Sequence, residues 1–424
     1  MIVAAWQRTR AMASHQIVVE SACVDLPEIG LGQVNKFRMA WFVALFWVLA
    51  GITGQPSAGQ LPSGQAPAQT GPPNPMLTQR PPPKAAKPPG PLTPEGHIKL
   101  DLVVNDAAGK PVQDLQPWNF KLLDNDAPRK ILSFRAFNDS TVKPEPPVEV
   151  ILVIDTVNLP FPQVAVTRQQ IGHFLQENGG HLKQPVTLLL LTDAGLRVQP
   201  RPSLDGNALM SVVNQIKGSV RTIDSAMGGE GLLERFQICV HAMSTIAENM
   251  ARKPGKKLLI WVGPGWPILN RQSLGTYSAK NQQRYFDGIV ELSTRLREAR
   301  MVVYSVAPAD VGAGASDISN LMLYQNYLKG VKSARQADTG NLALKVLATQ
   351  TGGQILGPDN DLAAQIDRCV ADANGFYRIS FDPPPTDHPD EYHDLNVQVD
   401  QPGLKVRTNT GYYNEPPPAE SVSH

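Results

Sequence analysis

The chain has 424 residues, a formal net charge of +1 and 18% charged residues, enough length for two compact units plus a tail. A balance so close to neutral leaves no electrostatic footprint for a nucleic acid or an anionic membrane surface. The three cysteines, Cys23, Cys239 and Cys369, have neither a metal spacing nor a disulfide framework; a buried, unreactive thiol is expected for Cys239 and Cys369, with a bond between them left open in an oxidising compartment.

Residues 1–38 form a pre-signal segment of mixed character, and 39–54 hold the apolar core MAWFVALFWVLAGI, preceded by Lys36 and Arg38 and followed by small residues. The run is shorter than the roughly 20 residues that span a bilayer and suits an export signal. A start at Val34 through a GTG codon would give an ordinary short n-region and make residues 1–33 a start-site error. The alternative is an uncleaved membrane anchor with a cytoplasmic tail. Residues 55–95, about a third Pro through position 94, cannot bury enough apolar surface to offset chain entropy and read as an extended tether.

In 96–140, Ile98, Leu100, Leu102 and Val104 alternate with polar residues, as in a half-buried strand. Residues 120–123 and 130–137 supply further strands across the polar turn 124–129. The far flank, 376–414, has the same construction: Tyr377, Ile379 and Phe381 alternate, then Leu395, Val397 and Val399, then 404–408 after a Gln-Pro-Gly turn. Neither flank has enough strands to close a core alone. The expectation is one β-sandwich built from both flanks, with two separate small sheets as the alternative. Residues 415–424 are a tail.

Between the flanks, 148–373 opens with VEVILVIDTVNLP, an apolar run that stops at Asp155 and passes into a helical pattern through Val164, Ile171, Phe174 and Leu175. Further short apolar runs at 186–191, 257–262, 301–306 and 354–356 alternate with helical patterns, the signature of a sheet covered on both faces. The fold class is therefore α/β, doubly wound, and Asp155 ends its first strand where open parallel sheets place ligands.

The leading strand ending in Asp155, the segment TLLLLTDAGLRVQP and the strand LLIWVGPGWP resemble a von Willebrand factor type A domain. The flanking segments FKLLDNDAPRKILSFRAF, LATQTGGQILGPDNDLAAQIDRCVADANGFYRISFDPP and PGLKVRTNTGYYN extend the resemblance, over residues 96–414, to the von Willebrand factor A-related family abundant in Acidobacteria. It implies an A-like domain inserted in the flank sandwich, an adhesion or assembly role, and a metal-ion-dependent adhesion site. That site uses oxygen ligands because Mg²⁺ is hard and near-octahedral. Asp155 matches its first position, but Val157 and Leu159 stand where two serines belong, Thr222 or Ser225 matches the later hydroxyl only loosely, and Gly263-Pro264-Gly265 lacks the second carboxylate.

Three readings of Asp155 stay open: a carboxylate that accepts N–H groups at the next helix, a variant Mg²⁺ site with Asn158, Asp193 and Asp224, or direct partner contact without metal. Trp266, beyond the strand, is a candidate exposed anchor, and Trp261 a core residue. No Gly-x-Ser-x-Gly, His-Glu-x-x-His, phosphate loop or dinucleotide fingerprint occurs, and the acidic stretch 382–392 reads as a solvated loop rather than a calcium site. The expectation is a secreted or periplasmic, non-enzymatic protein-binding or adhesion module without an obligatory cofactor, whose partner is a protein or another envelope macromolecule. Membrane contact is expected only through an uncleaved signal. The alternatives are an envelope assembly scaffold and an exported enzyme with an unrecognised site.

Overall fold

The computed structural model describes residues 98–138, 143–144, 146–199, 201–215, 228–269, 278–309, 323–386, 388 and 390–414. The signal core, the Pro-rich segment, the C-terminal ten residues, His97, residues 216–227 with Thr222, Asp224 and Ser225, and Gly312–Gly314 lie outside them. Among the described residues no helix is long and apolar enough to cross a membrane.

The protein is mixed α/β, with fifteen strands in three sheets and six α-helices among the described residues. The central sheet contains β5 (Glu149–Asp155), β6 (His181–Thr192), β7 (Gly195–Val198), β8 (Ser203–Asp205), β9 (Lys257–Val262), β10 (Met301–Pro308) and β11 (Ile355–Asp359). Its order is β11-β10-β9-β5-β6-β7, parallel from β11 to β6, with β7 and β8 antiparallel to β6. The pleat divides each apolar run between two cores. Ile151, Val153, Leu259 and Trp261 pack with α3 (Gly228–Ala251), α4 (Ala279–Glu298) and α5 (Leu344–Gln350), whereas Val150, Leu152, Leu258 and Ile260 pack with α1 (Phe161–Gln176), α2 (Gly206–Asn214) and α6 (Leu362–Val370). Strands buried on both faces in this way carry continuous rather than alternating hydrophobicity. Cys239 belongs to the first core and Cys369 to the second, so the sheet separates two free, buried thiols.

Both flanks contribute to each remaining sheet. One has the order β14-β1-β12-β4, with β1 (Ile98–Asn105) and β4 (Ser133–Asn138) from the N-terminal side and β12 (Gly375–Phe381) and β14 (Lys405–Arg407) from the C-terminal side. The other runs β15-β13-β2-β3, combining β2 (Phe120–Asp124) and β3 (Ala127–Arg129) with β13 (Glu391–Val399) and β15 (Gly411–Asn414). Leu100, Leu102, Tyr377 and Ile379 from the first sheet share an apolar cluster with Phe120, Leu122, Leu395 and Tyr412 from the second.

The turn expected over 124–129 is shorter in the structure. Asn125 and Asp126 adopt φ of 47° and 63°, the left-handed pair that a two-residue hairpin requires and that Asn and Asp tolerate. This closes β2 onto β3, so the strand expected at 130–137 starts at Ser133 and joins the other sheet.

Where the parallel sheet meets β1, β12 and β14, the contact is charged and largely buried. Arg300 grips Asp101 through Nη2 at 2.9 and 2.6 Å, and Arg378 Nε donates to the same carboxylate at 3.0 Å. Arg407 Nη2 reaches both oxygens of Asp372 at 2.7 Å, and the Tyr304 hydroxyl donates to Asp372 Oδ2 at 2.6 Å. Lys256 Nζ donates to the Asp372 carbonyl at 3.2 Å and lies 4.0 Å from the centre of the Phe376 ring. Burial drives the Lys256 ammonium down to about 8, against the pull of Asp101 and Asp372.

Candidate functional site

Asp155 ends β5 on the edge where the first strand of a parallel sheet presents its carboxyl end. Its side chain points to the same face as Val153, two residues earlier, and Val153 stands opposite Trp261 in the β5–β9 ladder. Period-two alternation thus brings Asp155 and Trp261 to one side of the sheet, over α3.

The carboxylate is fully buried and fully engaged. Oδ1 accepts the backbone N–H groups of Val157 and Asn158, each at 3.0 Å, and Oδ2 accepts Asn158 Nδ2 at 2.8 Å and Trp261 Nε1 at 2.9 Å. Four N–H donors on two oxygens match the acceptor capacity of a carboxylate. None of these four donors belongs to a Lys, Arg or His side chain. Burial raises the Asp155 carboxyl above its ordinary value, and the four hydrogen bonds only partly counter it.

The neighbouring positions complete an apolar collar. Val157 packs into the α3 core and Leu159 against Val164 of α1. The places that serines would occupy in an adhesion site are thus core positions. Asn158 Nδ2, besides holding Asp155, lies 3.2 Å from Cys239 Sγ, so the amide turns its nitrogen rather than its oxygen toward the carboxylate. The Cys239 thiol is pushed up by burial and by the nearby Asp155. Gly263 leaves room for Asp155: a Cβ there would sit 2.9 Å from the Asp155 Cβ and 3.3 Å from Oδ2, so a carboxylate side chain at that position would force a shift.

The other expected site residues are distributed around this core. Asp193 is half-buried in the β6–β7 turn, two residues beyond Leu191, the ladder partner of Asp155. Thr156 also anchors that side, donating through N and Oγ1 to the Leu191 carbonyl at 3.0 and 2.7 Å. Asp224 lies outside the described residues. Trp266, expected to be exposed, is instead 6% exposed and meets Trp261 edge-on, with ring centres 5.0 Å apart. The Gly-Pro-Gly turn folds it back onto the sheet, where its ring adds apolar area to the α3 core. Its Nε1 is buried and has no hydrogen-bond partner among the described residues. Asp155, Asn158, Trp261 and Trp266 therefore form one contiguous unit, in which the Trp261 hydrogen bond is the link that sequence reasoning missed. Among the described residues, no three His, Cys, Asp or Glu side chains converge in a metal-binding group.

No family model and no curated protein matches the chain. Among solved structures, a von Willebrand factor type A protein from Catenulispora acidiphila is similar at 10% identity, covering 75% of this chain and 74% of that one with a TM-score of 0.29. The pilus adhesin SpaC from Lactobacillus rhamnosus GG is similar at 10% identity and a TM-score of 0.32, over 71% of this chain and 48% of the adhesin. Proximal thread matrix protein 1 from the mussel byssus matches at 10% identity and a TM-score of 0.28, over 54% of this chain and 48% of its own. This chain spans about half the length of the latter two. Likenesses with TM-scores this low carry no inference about function.

Proposed function

We propose that this protein is an exported, non-enzymatic module that binds a protein or another envelope macromolecule without a metal, using the edge of the parallel sheet around the β5 and β6 ends. The fold underlying this reading is a doubly wound von Willebrand A-like domain inserted in a β-sandwich made by the flanks. Helices against both faces of the parallel sheet and two mixed-flank sheets around one apolar cluster support it.

The observation that carries the metal-free reading is the saturation of Asp155. Mg²⁺ needs several converging oxygens in near-octahedral geometry, whereas both Asp155 oxygens already accept N–H groups and the next two motif positions are Val157 and Leu159 in apolar cores. Asp155 then orders the turn from which a partner-binding edge is built, and Asp193 is the acidic residue of that edge placed to touch a partner. Capture from envelope extracts by the mature chain, in Mg²⁺ and in EDTA, tests this. The same partner is expected in both, with Asp193→Ala weakening capture; a partner retained only with Mg²⁺ would reject the metal-free reading.

Export itself rests on the apolar run at 39–52, and places the protein in the periplasm or outside the cell, with a membrane-anchored form as the alternative. N-terminal sequencing of the processed protein is expected to begin between Thr53 and Gln60; a membrane species retaining residues 37–52 would support the anchor. The part-buried ion pairs Arg300–Asp101 and Arg407–Asp372, which join the parallel-sheet unit to β1 and β14, favour a second reading, an envelope scaffold, because they fix the two parts in one arrangement. Capture that is indifferent to substitutions along the β5–β6 edge would select the scaffold.

A further inference from the structure

The sheet β14-β1-β12-β4 turns Leu100, Leu102, Tyr377 and Ile379 toward the sandwich core, so period-two alternation puts Asp101, Arg378 and Arg135 on its outer face. They stand in one row across β1, β12 and β4, with Asp101 opposite Arg378 and Arg378 opposite Arg135. Like charges directly opposed on neighbouring strands are destabilising. Phe137 offsets part of that cost, the Arg135 and Arg378 guanidinium carbons lying 5.0 and 4.7 Å from its ring centre. The ring is itself buried and stacked on Phe376, with centres 4.6 Å apart.

Asp101 neutralises only part of this row. It takes Arg378 through Nε and Arg300 through Nη2, which leaves both Arg378 Nη groups uncommitted among the described residues. Arg135 is exposed and makes no hydrogen bond or ion pair among them. Burial, then the charges of Arg300 and Arg135, lower the Arg378 guanidinium from its ordinary value, and Asp101 offsets them only in part. Three guanidinium groups thus face one carboxylate, with Lys256 beneath adding to the positive side and exposed Lys99 continuing it in the next row of β1. A net charge of +1 over the whole chain conceals such a patch.

We propose that Arg135 and Arg378 bind a phosphomonoester dianion on this face. The group carries about −1.5 to −2 charge at pH 7 and three acceptor oxygens, the complement of two guanidinium forks set side by side with an unbalanced positive charge. Asp101 positions the Arg378 fork, and Arg135 closes on the anion from the solvent side. The site is separate from the Asp155 edge and independent of the function proposed there. A soluble phosphate ester and a lipid head group share this chemistry.

Calorimetry of the full chain at low ionic strength with methyl phosphate, and with the monoanionic diester dimethyl phosphate, tests the proposal, beside sedimentation with vesicles containing phosphatidic acid or phosphatidylglycerol. Saturable binding of the monoester is expected, at least tenfold tighter than of the diester and at least tenfold weaker in Arg135→Gln, a substitution that leaves the Asp101 network intact. Arg135→Lys, which keeps the charge but not the fork, is expected to fall between. Lys121→Gln, at an exposed position of β2 in the other sheet, is expected to bind as the unmodified chain does. Thermal midpoints confirm that each variant is folded. Arg135-dependent capture by phosphatidic acid vesicles without methyl phosphate binding would support the site and assign the lipid source; methyl phosphate binding without capture would assign the soluble one. Binding to neither, equal affinity for the diester, or a loss in Lys121→Gln equal to that in Arg135→Gln would overturn the proposal.

Discussion

Asp155, at the end of a parallel-sheet strand, and Asp101, inside β1 of a flank sheet, both have side chains largely removed from water, and they are stabilised by opposite means. Asp155 is surrounded by neutral N–H dipoles from Val157, Asn158 and Trp261, and its carboxyl is raised by burial. Asp101 suffers the same burial, but Arg300, Lys256 and Arg378 outweigh it and hold the carboxyl below its ordinary value. Burial raises a carboxyl that only neutral dipoles hold, whereas guanidinium groups beside it can outweigh the same burial and lower it. The first arrangement builds a turn; the second ties the parallel sheet to β1 and β12.

The sharpest way to break the contrast is to remove each carboxylate. Asp101→Ala leaves Arg300 and Arg378 facing each other without their shared carboxylate, with only Asp372 still balancing Lys256, and is expected to destabilise the protein by about 3–5 kcal/mol, the range for breaking a buried ion pair. Asp155→Ala strands no charge; with the half-buried Asn158 amide and the turn N–H groups able to pair with water in the vacated space, it is expected to cost less, about 1–3 kcal/mol for the buried Trp261 N–H left unsatisfied. Urea unfolding of the two variants measures both. A larger loss at Asp155 than at Asp101 would mean that the edge, not the junction, carries the ionised group.

The same contrast predicts pH dependences of opposite sign. Because the Asp155 carboxyl is raised in the folded state, its contribution is complete below the unfolded value of 3.8 and declines as pH climbs from there through the folded value. Asp101 is lowered, so its contribution is complete above 3.8 and is lost as pH falls through its folded value. Asp155→Asn should therefore flatten the stability curve above pH 3.8 and Asp101→Asn below it, in urea midpoints taken across pH. A variant that flattens the other limb would reverse the assignment.

The smallest effect is expected at Cys239. Its thiol is 3.2 Å from Asn158 Nδ2 in the α3 core; Cys239→Ala removes a weak acceptor and one sulfur volume, for a loss of about 1 kcal/mol. A loss matching that of Asp155→Ala would make the thiol an essential part of the site.

These residues also mark what was readable from sequence. The continuous apolar runs at 148–154 and 257–262 announced strands buried on both faces, because a strand with helices on each side has no polar face to alternate with. The strand alternation on either flank likewise pointed to pairing between them. The Asp155–Trp261 bond lay half-visible: Trp261 belonged to a core strand, but only the register, which opposes it to Val153, places its indole under the carboxylate. Trp266 was misplaced because residues beyond a strand usually run outward, whereas the Gly263-Pro264-Gly265 turn, with Gly265 at φ 96°, folds the chain back. The junction could not be read at all. Asp101 and Arg300, or Asp372 and Arg407, meet across long sequence separations with no local pattern to announce them.

The central claim, that Asp155 is an internal hydrogen-bond acceptor and not a metal ligand, is tested most directly by calorimetric titration of the metal-free protein with Mg²⁺ and with Mn²⁺, beside Asp155→Ala. With both carboxylate oxygens taken by N–H donors and the serine positions filled by Val157 and Leu159, no binding is expected at micromolar concentrations in either protein. Micromolar binding to the unmodified chain that Asp155→Ala abolishes would contradict the account and restore a metal-dependent site.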